Sequence, residues 1–210
     1  MSLLLEPRIR SIRLHELHAL AARLVTRVID SGFQPTCIIY VERAARLLAA
    51  SACAQLSIGA VPLVIQRKPD GGKGRLPAWL ATCPVWLKNL LRHVEARLVW
   101  RRASGKRHFS HPPCVDLSGC RVLLLDDAVD TGSTVRMARA WALEQGAQDS
   151  DIRVAALTVS TSLGVDAVDF TLYRQMCRFP WSSDSNELQA YEQAYREAHV
   201  PTFHGLHPRN

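Results

Sequence analysis

Apolar positions along the chain alternate between helical spacing and short unbroken runs. Residues 14–30, LHELHALAARLVTRVID, place Leu17, Leu20, Leu24 and Val28 on one stripe, which predicts an amphipathic helix. Ser31-Gly32 ends that helix, and PTCIIYV (35–41) follows as a buried strand. ERAARLLAASACAQL (42–56) predicts a second helix, and GAVPLVIQR (59–67) a second strand. Strand, helix and strand with short joints predict a parallel pair joined by a right-handed crossover. Later, RVLLLDD (121–127) predicts a central strand, TVRMARAWALEQG (134–146) a helix and IRVAALTVS (152–160) another parallel strand. VDFTLYR (168–174) predicts a further strand, and NELQAYEQAYREA (186–198) a late helix with Leu188, Tyr191 and Tyr195 roughly on one side.

Between the second and central strands the pattern breaks. KPDGGKGRLP (68–77) reads as a loop, VWLKNLLRHVE (85–95) as a short helix, and EARLVWRRASGKRHFS (95–110) as a hairpin with a basic tip. HPPCVDLSG (111–119) is a connector. Neither an internal repeat nor a low-complexity segment is present. The expected architecture is α/β: one open, mostly parallel twisted sheet flanked by helices, with an inserted helix and hairpin. Residues 1–210 then form a single domain, with 67–118 as an inserted lid or hood and 182–210 as a C-terminal helix and tail.

Charge adds one feature to this picture. Lys and Arg number 26 against 19 Asp and Glu, a formal net charge of +7, and the excess concentrates in residues 65–110. Such a patch suits a polyanion, whether nucleic acid, an acidic lipid surface or a small phosphate compound, and it also suits a solvated face. The six cysteines form no CxxC pair, which indicates a reducing compartment and thiols used as small core residues. MSLLLEPRIR lacks the features of a signal peptide, and no apolar run reaches the roughly 20 residues of a membrane span. A cytoplasmic location without membrane attachment is expected.

The candidate chemistry lies in RVLLLDDAVDTGST, 121–134. Ligands of open parallel sheets gather beyond the carboxyl ends of the strands. Val122–Leu125 anchor the strand in the core, so Asp126 and Asp127 are expected to emerge at that edge. Adjacent carboxylates there require hydroxyls, a metal or cations opposite them. The following Asp130-Thr131-Gly132-Ser133-Thr134 turns into a helix: Gly132 permits close approach, the hydroxyls donate, and the unpaired amides of the helix start suit a phosphate. A diol clamp beside a phosphate cradle describes a ribose 5-phosphate group. A Walker A loop would need a lysine before its Ser/Thr, and a dinucleotide fingerprint would need GxGxxG; neither is here.

RVLLLDDAVDTGST resembles the phosphoribosyl pyrophosphate motif of the type I phosphoribosyltransferases, nearest to the purine (hypoxanthine and xanthine–guanine) members. The resemblance covers about residues 14–66 and 115–181. It implies that Asp126 and Asp127 hold the sugar hydroxyls, that Thr131, Gly132, Ser133 and Thr134 hold the 5-phosphate, and that Asp130 exchanges a proton with the base. It implies Mg2+ as cofactor, with its protein ligands unassigned, and a homodimer. Where the family's pyrophosphate loop typically reads Leu-Arg-Gly-Gly, this chain has Glu42-Arg43-Ala44-Ala45. Arg43 and Ala44 are the positions carried over, and alanine makes a left-handed backbone costlier than glycine. Lys106 and Arg107 fall on the family's mobile excursion and are expected to meet pyrophosphate. RFPW (178–181) resembles the segment that covers the base, giving Tyr173, Met176, Phe179 and Trp181 as base-binding candidates. Where many 6-oxopurine members carry a lysine, this chain has Ser160, Thr161 and Ser162.

The leading expectation is Mg-dependent transfer of 5-phosphoribosyl from phosphoribosyl pyrophosphate to a purine-like base, giving a nucleoside 5-monophosphate and pyrophosphate. A noncatalytic sensor of phosphoribosyl pyrophosphate or a nucleotide is the alternative. A nucleic-acid role for the basic middle region is a third class, and nucleic acid is not the partner expected.

Overall fold

The computed structural model describes residues 9–67, 107–182 and 184–205. The expected loop 68–77, the helix 85–95 and all but the last strand of the 95–110 hairpin lie outside these residues, as does Lys106.

The main sheet has five strands, β2 (Cys37–Val41), β3 (Ala60–Leu63), β6 (Val122–Val129), β7 (Ile152–Val159) and β8 (Phe170–Tyr173). Their order is β3-β2-β6-β7-β8, and every neighbouring pair is parallel. Three helices cover it: α1 (Leu17–Asp30), α2 (Arg46–Leu56) and α3 (Ser133–Glu144). Side chains alternate across a strand, so each central strand feeds two cores. Ile38, Tyr40, Leu123, Leu125, Ala155 and Leu157 face the core that holds α1 and α2. Cys37, Ile39, Val122, Leu124, Val154 and Ala156 face the core of α3, with Val135, Ala138 and Trp141. A strand buried on both faces explains why these runs are unbroken in the sequence. Leu123 is 0% exposed at the middle of the central strand. Leu123→Ala is expected to cost about 2–5 kcal/mol of stability, measurable as a lower urea midpoint.

Several boundaries differ from the expectation. The second helix starts at Arg46, not Glu42; residues 42–45 are a turn with Arg43 at φ 79. The run 59–67 divides after Leu63, and β4 (Ile65–Arg67) leaves the sheet to pair antiparallel with β5 (Arg107–Phe109). Residues 68–106 lie between these two strands in the chain. β6 extends to Val129, so Asp126 and Asp127 lie within the strand, not beyond its end. Asp126 is only 4% exposed.

Among the shorter elements, β1 (Arg10–Ser11) pairs parallel with β9 (Cys177–Arg178), and α4 (Ser162–Val165) follows β7. The late helix, α5 (Leu188–Glu197), leads into a tail that extends the sheet beyond β3. There Ala60 N–H donates to Pro201 O at 2.7 Å and Phe203 N–H to Ala60 O at 3.0 Å. A Cβ on Gly59 would stand 2.8 Å from the Phe203 backbone, so the tail's close approach depends on that glycine. Among the described residues no helix is long and apolar enough to cross a membrane.

Candidate active site

The second half of the central strand carries two adjacent carboxylates with different surroundings. Asp126 is buried, and its Oδ1 accepts the N–H of Asp127 at 3.0 Å. Burial first, then the neighbouring charge of Asp127, pushes the Asp126 carboxyl well above the ordinary carboxylate range. Asp127 is also raised by burial, while hydrogen bonds from Asp126, the Ala128 amide and Trp181 favour its charged form. The Trp181 bond runs from Nε1 to Asp127 Oδ2 at 3.1 Å. The surroundings thus favour the neutral form of Asp126 more than that of Asp127.

Beyond the strand, the chain folds around a small cleft lined by Asp126 and residues 128–134. Gly132 sits at φ 75 and precedes α3, whose first-turn amides face this loop. Thr131 Oγ1 and Ser133 Oγ share a hydrogen bond at 2.7 Å. Arg136 reaches back from α3 to donate to Thr131 O. A hydroxyl-lined helix start with left-handed glycine suits a tetrahedral anion, which amides and hydroxyls can surround.

The loop is braced from β7 and α4. Ser160 Oγ donates to Asp130 Oδ1, and Thr161 Oγ1 donates to Asp130 O. A Cβ on Gly164 would lie 2.7 Å from Asp130 O, and one on Gly132 would lie 2.5 Å from Ala167 Cβ. Sequence reasoning placed Ser160 and Thr161 near the base but missed this bracing, for which two small glycines were the available signal. Gly132→Ala combines a forbidding φ with a clash against Ala167. Its expected result is at least a tenfold loss of ribose 5-phosphate affinity by calorimetry.

The 42–45 turn sits across from the acidic pair, and its charges are arranged by α5. Glu42 is engaged by α5 and α2: its Oε1 accepts from Tyr195 Oη at 2.6 Å and pairs with Arg46 at 3.4 Å. Those hydrogen bonds and the Arg46 charge keep the Glu42 carboxyl below its ordinary range despite partial burial. Arg43 is exposed, and its carbonyl accepts from Tyr191 Oη at 2.5 Å. A non-glycine residue in the left-handed region is held there by such contacts.

The base-binding candidates divide. Phe179 is buried and stacks on Trp181 with ring centroids 4.7 Å apart. Trp181 is half-buried and directs its N–H to Asp127. Met176 is half-exposed, and its carbonyl accepts the Arg10 N–H. Tyr173 carries Arg10 over its ring at 4.5 Å, and its buried hydroxyl has no partner among the described residues. Arg107 belongs to β5 by its backbone; its side chain, like Lys106, lies outside the described residues.

No family model and no curated protein matches this chain. Solved structures do. The purine phosphoribosyltransferase of Pyrococcus horikoshii Ot3 superposes with a TM-score of 0.59 at 18% identity, covering 83% of this chain and 93% of that one. The fold is that of the type I phosphoribosyltransferases. The xanthine-guanine-hypoxanthine phosphoribosyltransferase of Helicobacter pylori shares this phosphoribosyltransferase fold at TM-score 0.56 and 12% identity, over 87% of this chain and 99% of that one. A Neisseria gonorrhoeae hypothetical protein with bound ppGpp does so at TM-score 0.52 and 13% identity, over 91% and 99%.

Proposed function

We propose that the chain transfers the 5-phosphoribosyl group of phosphoribosyl pyrophosphate to a nitrogenous base, giving a nucleoside 5-monophosphate and pyrophosphate. The observation that carries this reading is the cleft lined by Asp126 and residues 128–134, where a carboxylate adjoins a hydroxyl-lined helix start and Asp127 follows it on the central strand. Asp126 and Asp127 would take the sugar hydroxyls, and Thr131 to Thr134 the 5-phosphate. Asp130, oriented through Ser160, would hold or release a proton at a ring nitrogen. The exposed Arg43, with Ala44, would face pyrophosphate, joined by Lys106 and Arg107 from the inserted region. Met176 and Trp181 keep partly exposed surface for a base, with Phe179 beneath and Tyr173 beside them. Fixed position and preformed charge supply the rate gain.

Among the described residues no group of three or more His, Cys, Asp and Glu side chains could hold a metal ion. Mg2+ binds through one or two carboxylates plus substrate phosphates, so the donor set fits an ion carried in by pyrophosphate. Bound there, it would lower the charge of the leaving group. The same reading places the protein in the cytoplasm as a homodimer, with purine-like bases as acceptors.

The direct test is a panel of bases incubated with phosphoribosyl pyrophosphate and Mg2+, following both nucleotide and pyrophosphate. Nucleotide from at least one base is expected. Tight binding with no pyrophosphate released from any base would favour a second reading, a sensor of phosphoribosyl pyrophosphate or a nucleotide. Two observations speak for that alternative: the glycine-free 42–45 turn, and a fold neighbour whose structure contains ppGpp.

A further inference from the structure

The described residues 179–195 touch both halves of the proposed site. Phe179 and Trp181 stack nearly parallel, 9° between planes, and Trp181 meets Tyr191 at 5.0 Å. Tyr191 meets Tyr195 at 6.1 Å. One end of this ladder donates an indole N–H to Asp127, and the other donates two phenolic hydroxyls to the Arg43 carbonyl and the Glu42 carboxylate. Arg46 closes the far end, donating to Ala198 O at 3.2 Å and lying over the Tyr195 ring at 4.9 Å.

We infer that this aromatic ladder is a clasp in which Trp181 and Tyr191 are positioning residues, Trp181 for the sugar-holding carboxylate Asp127 and Tyr191 for the 42–45 turn. The inference rests on the phosphoribosyl reading of the site. Its physical ground is orientation. A carboxylate with one oxygen held by a rigid indole presents the other in a fixed direction, and Asp127 has its backbone N–H committed to Asp126 as well. At the turn, a left-handed arginine has no glycine to relax it; the Tyr191 bond holds the carbonyl where it is, which fixes the amide plane between Arg43 and Ala44. Tyr191 is 5% exposed, so its hydroxyl cannot exchange this partner for water without moving α5.

The clasp makes a divided prediction that a purely structural role would not. Ribose 5-phosphate probes the sugar half alone, and inorganic pyrophosphate with Mg2+ probes the turn. Trp181→Phe keeps the stack and removes the N–H; it is expected to weaken ribose 5-phosphate by about fivefold to tenfold, on the scale of one ordinary hydrogen bond because the lost bond orients Asp127 without touching the ligand, and to leave pyrophosphate unchanged. Tyr191→Phe should do the reverse. For phosphoribosyl pyrophosphate itself, the double variant should lose less than the product of the two single losses, since the two rings are in contact. Calorimetry on the full chain reads all three ligands, and far-ultraviolet dichroism checks the fold. Should Trp181→Phe fail to fold, the Tyr191→Phe arm decides alone. Wild type that binds all three, with variants that bind as wild type or lose both probes equally, overturns the clasp. Wild type that binds neither phosphoribosyl pyrophosphate nor ribose 5-phosphate overturns the site reading beneath it.

Discussion

Asp126→Asn is expected to weaken phosphoribosyl pyrophosphate binding by about 10-fold, the scale of one hydrogen bond, and at the same time to stabilise the unliganded protein. The two effects share a cause. Burial and the adjacent Asp127 raise the folded-state affinity of Asp126 for its proton. A carboxyl raised in this way contributes stability in full below its unfolded value of about 3.9, and that contribution is lost as pH rises through the folded value. At neutral and alkaline pH the wild type therefore bears the cost of the buried pair. Asparagine is neutral throughout and keeps an oxygen for the Asp127 N–H. Its advantage should be small near pH 4 and grow upward, reaching about 2–4 °C at pH 8 if 1 kcal/mol is recovered in a domain of this size. Replacing both Asp126 and Asp127 by Asn should abolish measurable sugar binding. Calorimetric melting at several pH values, with ligand titration alongside, checks both halves. A variant that is less stable at pH 8, or that binds as wild type, contradicts the assignment.

Asp130→Asn should separate chemistry from binding. Its backbone carbonyl is held by Thr161 and one carboxylate oxygen by Ser160, so the loop can keep its shape with an amide at this position. Phosphoribosyl pyrophosphate affinity should stay within about threefold, below 1 kcal/mol. Turnover with the accepted base should fall by about 10²-fold to 10⁴-fold, the range of a positioned acid or base. Steady-state kinetics with the best base from the panel gives the result. Equal turnover in variant and wild type across pH would remove Asp130 from the proton-transfer role.

The central strand, the acidic pair and the DTGST turn were legible because they are one contiguous segment whose periodicity, charge and glycine all act locally. The bracing of that segment was harder to read. Ser160, Thr161 and Gly164 reach Asp130 from some thirty residues away, and hydroxyl bonds at that separation leave no mark on a pattern. ERAA was read as the start of a helix because arginine and alanine favour helices. The left-handed Arg43 is set instead by Tyr191, 148 residues later in the chain. β1 and β9 are two residues each, too short for a period to show. RFPW was legible as an aromatic segment near the site, but not the direction of the Trp181 N–H, which depends on the packing of Phe179 and Tyr191 around it.

The most direct measurement is a crystal structure of the full chain with ribose 5-phosphate bound. The phosphate is expected against the amides and hydroxyls of Thr131–Thr134, with the 2- and 3-hydroxyls donating to Asp126 and Asp127. A phosphate bound elsewhere, with that cleft closed by the protein's own side chains, would contradict the account.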